Sequence, residues 1–254
     1  MGARALGGIS LWVVTHPAIH IDRLEKRYPT GTEALKGVSL TIAPGEFFGL
    51  LGPNGAGKTT FIDGITGFVP TTGRIHLDGR DVSGLPANRR AGLGLGRTWQ
   101  SLELFDDLSV RDNLLVAAHT PTLWSTLTDA LWPKAHDTSE TQSVLELLDL
   151  VDVADRRPTE LSNGQRHVVA LGRALVSSPQ LVLLDEPAAG LDPAETETLA
   201  ALLRRLPATG TTVLVLDDAG TYTAALSGVA HLLLWPIVTP DGGLAYVDVP
   251  PELN

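Results

Sequence analysis

Cysteine is absent from the 254 residues of this chain. Its absence excludes a disulfide framework and any metal site built on thiolates, and it fits a protein of a reducing compartment such as the cytosol. Long apolar runs are missing too, because the longest, residues 11–14 and 232–238, are far shorter than the roughly 20 residues needed to cross a bilayer. We therefore expect no transmembrane segment, and a role at a membrane would require a partner.

Positive charge is also scarce. The chain has 19 Lys and Arg residues against 29 Asp and Glu residues, which gives a formal net charge of -10 at pH 7. An excess of negative charge opposes binding to a polyphosphate backbone. Nucleic acid is therefore not expected as a partner.

Short apolar segments indicate an α/β fold. Residues 19–42 mix apolar and polar positions around a Pro-Thr-Gly turn and predict two strands of an antiparallel layer. Between the later apolar runs, residues 101–178 carry leucines at helical spacing and predict an inserted helical subdomain. Three continuous apolar runs are typical of parallel strands buried on both faces, and they lie at residues 47–51, 181–184 and 213–216.

The ends of the chain carry weaker signals. Residues 1–17 show no convincing signal-peptide cleavage site and are interpreted as an N-terminal tail. Residues 18–254 are predicted to form one domain. Within it, the proline and glycine content of residues 235–254 predicts turns and a short hairpin.

A glycine-rich motif, GPNGAGKTT, follows the first apolar run and precedes a helical pattern. This order of strand, loop and helix is the context that a phosphate-binding P-loop requires. Its glycines let backbone N–H groups surround phosphate oxygens at a helix N-terminus, whose dipole favours negative charge. We expect Lys58 to reach the β and γ phosphates and Thr59 to bind Mg²⁺ through its hydroxyl. The residues assigned to nucleotide binding are Gly52, Asn54, Gly55, Ala56, Gly57, Lys58, Thr59 and Thr60.

An acidic pair, Asp185 and Glu186, follows the second apolar run. Residues at the carboxyl end of a parallel strand lie at the edge where α/β sheets bind ligands. We expect Asp185 to hold Mg²⁺ through water and Glu186 to orient and help deprotonate an attacking water. The alternative is a charged pair that only ends a strand. With the P-loop, the pair predicts a RecA-like P-loop NTPase core, to which the antiparallel layer and the helical subdomain are added.

The segment LSNGQ, residues 161–165, resembles the signature motif of ATP-binding cassette (ABC) proteins, and the resemblance extends over about residues 19–216. It implies that the helix start at Ser162, Gly164 and Gln165 contacts the γ phosphate held by the P-loop of a second cassette. Asn163 stands where many members have glycine. Ser162 and Gln165 also have the spacing of a capping box, which predicts a helix start whatever the function.

Two further residues resemble ABC landmarks. Tyr28 resembles the aromatic residue that stacks on adenine, and the alternative is a strand tyrosine that only packs. Gln100, which ends RTWQ, resembles the glutamine that touches Mg²⁺ and links the nucleotide to the helical subdomain.

The loop after the acidic pair also fits the family. Asp192 resembles the residue of the loop that crosses the dimer interface, and its segment DPAE equally predicts an N-cap, an N1 proline and a capping box. Residues 65–70, 97–113 and 186–196 are most similar to the ATP-binding subunits of branched-chain amino acid importers.

Asp218 departs from the family pattern. ABC proteins normally have at this position, one residue beyond the strand, a histidine that contacts the γ phosphate. Neither Asp217 nor Ala219 can replace it, and His231 is too far along the chain. An ionised Asp218 would repel the γ phosphate, so we predict slow hydrolysis at this chain's own P-loop. A homodimer would carry two such sites, and we therefore hypothesise a heterodimer with a different cassette subunit.

The resemblance implies an ATP-binding subunit at the cytoplasmic face of a membrane, where it drives import of branched-chain or other amino acids through transmembrane permease subunits. One alternative is a soluble cassette ATPase acting on ribosomes or DNA, but the chain shows no tandem cassette, coiled coil or basic patch. A second is a nucleotide-sensing module without hydrolysis. Asp218 favours that alternative, whereas Lys58, Asp185 and Glu186 oppose it.

Overall fold

Two β-sheets and the helices packed on them form the part of the chain that the computed structural model describes, residues 16–99, 101–118, 139–217, 231–234, 237–238 and 244–245. The strands are β1 (Ile19–Arg27), β2 (Glu33–Ile42), β3 (Phe47–Leu51), β4 (Thr72–Leu77), β5 (Arg80–Asp81), β6 (Leu95–Arg97), β7 (Leu181–Asp185), β8 (Thr212–Asp217), β9 (His231–Leu234), β10 (Ile237–Val238) and β11 (Leu244–Ala245). The helices are α1 (Lys58–Thr66), α2 (Ala87–Ala91), α3 (Val110–Ala118), α4 (Ser139–Leu147), α5 (Asn163–Leu175) and α6 (Pro193–Arg205), with 3₁₀ turns at Val151–Val153, Pro158–Glu160 and Leu206–Thr209.

The first sheet is antiparallel, with the strand order β2-β1-β4-β5. β1 and β2 pair from Ile19 opposite Ile42 onward. The turn between them is closed by the Tyr28 N–H, which donates to the Thr32 carbonyl at 2.9 Å. The strand, turn and strand predicted for residues 19–42 are confirmed.

The second sheet is parallel, with the order β6-β7-β8-β3-β9. Every residue of β3, β7 and β8 is buried, which confirms the three apolar runs as central strands. Successive side chains of a strand point to opposite faces. β3 therefore supplies Phe47 and Leu51 to one hydrophobic cluster and Phe48 and Leu50 to the other. Burial on both faces explains why these segments are continuously apolar rather than alternating.

Helices cover both faces of the parallel sheet. α1 and the antiparallel sheet share one cluster, in which Phe61 and Ile65 are fully buried. α3, α4, α5 and α6 share the other, which includes the fully buried Val169 and Leu203. This mixed α/β architecture, with its parallel and antiparallel sheets, confirms the predicted fold class.

The described residues between β6 and β7 form α3, α4, α5 and two 3₁₀ turns, with no strand among them. Gly172 of α5 allows close packing, because a Cβ built there would lie 3.2 Å from Leu114 of α3 and 3.5 Å from Val144 of α4. The helical character of this region agrees with the sequence pattern. The bounds of a subdomain at residues 101–178 stay a prediction, and residues 119–138 lie outside the described part of the chain.

The end of the chain adds β9 to the parallel sheet. His231 pairs with Phe48, near the start of β3 and away from its carboxyl end. This register agrees with the exclusion of His231 as a replacement for the histidine missing at residue 218. β10 and β11 pair in antiparallel fashion, which confirms the predicted hairpin. Across the described ranges, no helix combines the length and the hydropathy that crossing a bilayer demands.

Arg90 fixes the C-terminal end of α1. Its side chain is buried, and its guanidinium donates to the carbonyls of Gly64 at 2.8 Å and Ile65 at 2.7 Å. The last carbonyls of a helix lack intrahelical donors, and a cation there complements the helix dipole. The same guanidinium donates to the carbonyls of Leu85 at 2.8 Å and Ser83 at 2.9 Å. Burial lowers the pKa of Arg90. Arg90 thus ties α1 to the segment that precedes α2.

Arg90→Met is expected to lower the free energy of unfolding by about 3 kcal/mol, because several buried carbonyls lose a charged donor. Urea unfolding followed by circular dichroism measures the change. Arg89→Met is the matched control, since Arg89 is the exposed neighbour on the same helix, and it should stay within about 0.5 kcal/mol of the wild type. Equal losses in the two variants would contradict this account of α1.

Candidate functional site

The P-loop, residues 52–57, connects the carboxyl end of β3 to α1. Its first residue is tied to the neighbouring strand, because the Gly52 N–H donates to the Asp217 carbonyl at 3.0 Å. At its other end, Gly57 has a φ of 97°, and a Cβ there would lie 2.5 Å from the Ala34 carbonyl oxygen. Only glycine meets both the conformation and the close approach. The loop is therefore held between β8 and β2.

Lys58 is buried at the start of α1, with 5% of its surface exposed. Its ammonium donates to the carbonyl of Gly52 and, at 3.5 Å, to that of Pro53. The helix has no side-chain cap and no acidic residue in its first turn. The N–H groups of its first turn have no intrahelical acceptors. A buried cation beside these donors forms a site suited to an anion.

Tyr28 lies beside the first turn of α1. Its hydroxyl is 3.3 Å from the Thr60 hydroxyl, and the Lys26 ammonium lies 5.1 Å from the centre of its ring. The structure thus brings Tyr28 next to the P-loop helix, although the two are 32 residues apart in sequence. Thr59, between Lys58 and Thr60, is exposed.

The acidic pair lies at the end of β7, and β8 alone separates this strand from β3, which leads into the P-loop. Asp185 pairs with Leu216 of β8. The residue after Leu216, Asp217, pairs with Leu51 at the end of β3. Asp185 is 7% exposed, and burial raises the pKa of its carboxyl group; Arg97 and Lys58 act in the opposite direction. The acid and the P-loop therefore share one edge of the sheet.

Glu186 has a left-handed backbone, with a φ of 48°. This conformation is costly for a residue with a Cβ. Two hydrogen bonds hold it: its N–H donates to the Leu216 carbonyl at 2.8 Å, and its own carbonyl accepts from the Ala189 N–H at 3.0 Å. A strained residue that is fixed in this way next to a ligand edge is typical of a functional site.

The signature segment begins α5. The Gln165 N–H donates to the Ser162 hydroxyl at 3.2 Å, and the Gln165 side chain accepts from the Ser162 N–H at 3.0 Å. The predicted capping box is therefore formed. The Asn163 side chain donates to the Gly190 carbonyl at 3.0 Å.

The contact between Glu195 of α6 and the signature segment was not predicted from the sequence. Its carboxylate accepts from the Gly164 N–H at 2.8 Å, and a Cβ at Gly164 would lie 3.0 Å from that side chain. The N-cap at Asp192, with Glu195 as its capping-box partner, is confirmed. The spacing of DPAE predicted the local cap, but no local pattern reports a contact between residues 31 positions apart.

Arg97 was also missed as a site residue. One nitrogen of its guanidinium lies 2.6 Å from a carboxylate oxygen of Asp63, and another lies 3.7 Å from Asp185. The only signal in the sequence is an arginine that ends a short apolar strand. Of the other predicted site residues, Gln100 and Asp218 lie outside the described residues.

The predicted residues form two groups. The P-loop, Asp185 and Glu186 lie at the carboxyl edge of the parallel sheet, and Tyr28 lies beside the first turn of α1. The side-chain contacts of Ser162 and Gln165 are with each other, and the Gly164 N–H contacts α6. The signature segment is therefore organised around the start of α6 and not around this chain's own P-loop.

Comparisons with known proteins agree on a family. The family described as ABC transporter matches residues 35–189. The high-affinity branched-chain amino acid transport ATP-binding protein BraF of Pseudomonas aeruginosa is 36% identical over 200 residues, which covers 76% of this chain and 78% of BraF. LivG of Escherichia coli, described in the same terms, is 34% identical over 200 residues with the same two coverages. A crystal structure of an ATP-binding cassette of an ABC transporter, in its ADP conformation, is 27% identical with a TM-score of 0.78 and covers 94% of each chain.

Glu195→Ala is expected to lower the free energy of unfolding by about 2 kcal/mol, because the Gly164 N–H and the cap of α6 lose a charged acceptor. Thermal unfolding followed by circular dichroism measures the loss. Glu197→Ala is the matched control, because Glu197 lies at an exposed position of the same helix, where its surface ion pair with Arg204 contributes less than about 1 kcal/mol. A loss no larger than that of the control would show that the contact with Gly164 adds nothing to stability.

Proposed function

This chain belongs to the ABC transporter family, and on that premise we propose that it is the ATP-binding subunit of a transporter, which binds and hydrolyses MgATP. The observation that carries the proposal is the buried ammonium of Lys58 at the uncapped start of α1. That arrangement suits the β and γ phosphates of a nucleotide. The donors assigned to the phosphates are the backbone N–H groups of the P-loop and of the first turn of α1. Tyr28 is assigned to the adenine ring because it resembles the stacking aromatic of the family, and its position beside Thr60 of α1 fits this role.

Mg²⁺ is the proposed companion of the nucleotide. The donors fit this ion, because the Thr59 hydroxyl and the Asp185 carboxylate are hard oxygen ligands and Mg²⁺ is commonly held by few protein groups with phosphate and water. Among the described residues, no cluster of three or more His, Cys, Asp or Glu side chains could hold a metal by itself. When bound, Mg²⁺ neutralises charge on the phosphate oxygens. Gln100 is proposed as a further ligand from its place in the sequence.

Glu186 is proposed to orient the attacking water and to accept its proton. The residue follows Asp185 directly, and the two hydrogen bonds of its backbone fix where its side chain leaves the main chain. A base in phosphoryl transfer needs correct position more than high basicity. Lys58 is proposed to stabilise the charge on the transferred phosphate from the other side.

Glu186→Gln is expected to lower ATP turnover by at least about 100-fold while ATP binding is retained, because the amide keeps the shape of the side chain but cannot accept a proton. Release of inorganic phosphate measures turnover, and equilibrium binding of labelled ATP measures affinity. Glu197→Gln, an exposed position on α6, is the control. Turnover that survives in Glu186→Gln would remove Glu186 from this role.

A second cassette subunit is the proposed partner at the signature segment. Ser162 is exposed, and the start of α5 offers backbone donors and the positive end of a helix dipole to an incoming anion. In a head-to-tail dimer, the γ phosphate on the partner's P-loop would replace the Glu195 carboxylate at the Gly164 N–H. Gln165 and the loop at Asp192 would lie at the same interface.

The transport role is proposed from the relatives. BraF and LivG are named as branched-chain amino acid transport ATP-binding proteins. We propose that this chain likewise works at the cytoplasmic face of the membrane, bound to transmembrane permease subunits, and that the cargo is branched-chain or other amino acids. The permease and receptor subunits would select the cargo.

Asp218 supports a heterodimer or, as a second candidate function, a nucleotide-sensing module with weak hydrolysis. The residue follows β8 directly, and β8 ends beside the start of the P-loop. A carboxylate there would repel the γ phosphate. A different cassette subunit, with an intact site of its own, would restore turnover to the complex.

Asp218→His is expected to raise the ATP turnover of the assembled complex by about tenfold, because a donor to the γ phosphate replaces an anion. Phosphate release from complexes purified with their co-purifying subunits measures the change. Asp152→His, at an exposed position in the helical region, controls for an added histidine. Unchanged turnover, or a complex that contains two copies of this chain with full activity, would contradict the impaired-site hypothesis.

A further inference from the structure

Arg97 lies between an exposed aromatic pair and the acidic end of β7. Its guanidinium carbon is 4.1 Å from the centre of the Trp99 ring and 5.9 Å from that of Phe68. The two rings contact each other edge to face, with their centres 5.0 Å apart. Phe68 is 55% and Trp99 is 42% exposed, whereas the Arg97 side chain is only 8% exposed. The aromatic pair therefore covers the buried guanidinium from the solvent side.

On its inner side, the guanidinium contacts two carboxylates of different elements. It forms a tight ion pair with Asp63 of α1 at 2.6 Å and a longer one with Asp185 at 3.7 Å, and it donates to the Thr66 hydroxyl at 3.3 Å. Asp63 and Thr66 fix the guanidinium to α1. At 3.7 Å, Asp185 is attracted to Arg97 but forms no hydrogen bond with it.

These contacts fit arginine better than lysine. A planar guanidinium can stack on a ring while its edge donates to one carboxylate and attracts a second, whereas a lysine ammonium is a point charge without a stacking face. Breaking an ion pair in a buried place leaves a charge uncompensated. Displacement of the aromatic pair would therefore move a cation that two carboxylates depend on.

We propose that Arg97 is a positioning residue for Asp185 and that the Phe68–Trp99 pair sets the position of Arg97, so that the exposed aromatic surface is coupled to the cation affinity of the nucleotide site. The inference rests on the proposed function, in which Asp185 serves Mg²⁺ bound with ATP. The ion pair with Asp63 fixes Arg97 relative to α1. The attraction between Arg97 and Asp185 then orients the Asp185 carboxylate before the cation binds. A group that binds and orients a metal ligand changes the affinity of the site for the metal without contacting the metal itself.

The test separates binding of the cation from binding of the nucleotide. All variants carry Glu186→Gln, so that ATP is not consumed. Labelled ATP is titrated in EDTA, which reports the phosphate and adenine contacts alone. Mn²⁺ is then titrated at saturating ATP, and electron paramagnetic resonance counts the free ion. Arg97→Lys keeps the charge but loses the stacking and the planar donors, and Trp99→Leu removes the ring while Arg97 stays.

Arg97→Lys is expected to raise the Mn²⁺ concentration for half-saturation by about tenfold, and Trp99→Leu by about threefold through its lost cation–π contact. ATP binding in EDTA should stay within twofold of the parent for both. Arg173→Lys is the matched control, because the Arg173 guanidinium also lies over an aromatic ring, 5.0 Å from the centre of Phe105, but belongs to α5. It should leave the Mn²⁺ titration unchanged.

Three results would overturn the inference. Equal loss of ATP binding in EDTA and with Mn²⁺ would mean that Arg97 only supports α1. Mn²⁺ titrations of Arg97→Lys and Trp99→Leu that match the parent would remove both residues from the site while the proposed function stands. A parent that binds no ATP in either condition would remove the proposed function and this inference with it. If Arg97→Lys is unfolded by circular dichroism, Trp99→Leu alone decides between these results.

Discussion

The site depends on the contacts of one buried ammonium group, that of Lys58, with the P-loop at the start of α1. Lys58 lies in the interior with carbonyl acceptors from the P-loop, and such a charge is costly to bury without an anion nearby. Its position follows from Gly57, whose left-handed φ of 97° and close approach to Ala34 admit no side chain. The antiparallel sheet therefore packs on α1 and, through Ala34 of β2, also fixes the conformation of the P-loop at Gly57.

Parallel strand order brings the rest of the site to this ammonium. β7, β8 and β3 are neighbours, so residues far apart in sequence end at one edge of the sheet. Two arginines then hold α1 in place, Arg90 at its last carbonyls and Arg97 through Asp63. Arg97 also reaches Asp185, so the acid assigned to the cation and the helix assigned to the phosphates share one buried partner. The charged side chains of the site, Lys58, Asp63, Arg97 and Asp185, are thus all arranged around α1.

Much of this could be predicted from the sequence, because the relevant signals are local. Continuous apolar runs predicted β3, β7 and β8, glycine spacing predicted the loop before α1, and SNGQ and DPAE predicted the caps of α5 and α6. The contacts of Arg97 with Asp63, and of Glu195 with Gly164, could not be predicted, because the partners lie 34 and 31 residues apart and meet only after the sheets have packed. The left-handed backbone of Glu186 was not predicted either, since strain at a non-glycine residue leaves no mark on composition.

Whether the buried ammonium of Lys58 serves a nucleotide can be measured by equilibrium binding of ATP to the purified wild-type chain, with isothermal titration calorimetry as the method and Lys58→Ala as the comparison. We expect one ATP to bind per chain, Mg²⁺ to tighten the binding, and Lys58→Ala to weaken it by about 100-fold, because the phosphates lose a charged partner. Absence of saturable ATP binding, or equal affinity in Lys58→Ala, would contradict the assignment of this buried ammonium to a nucleotide.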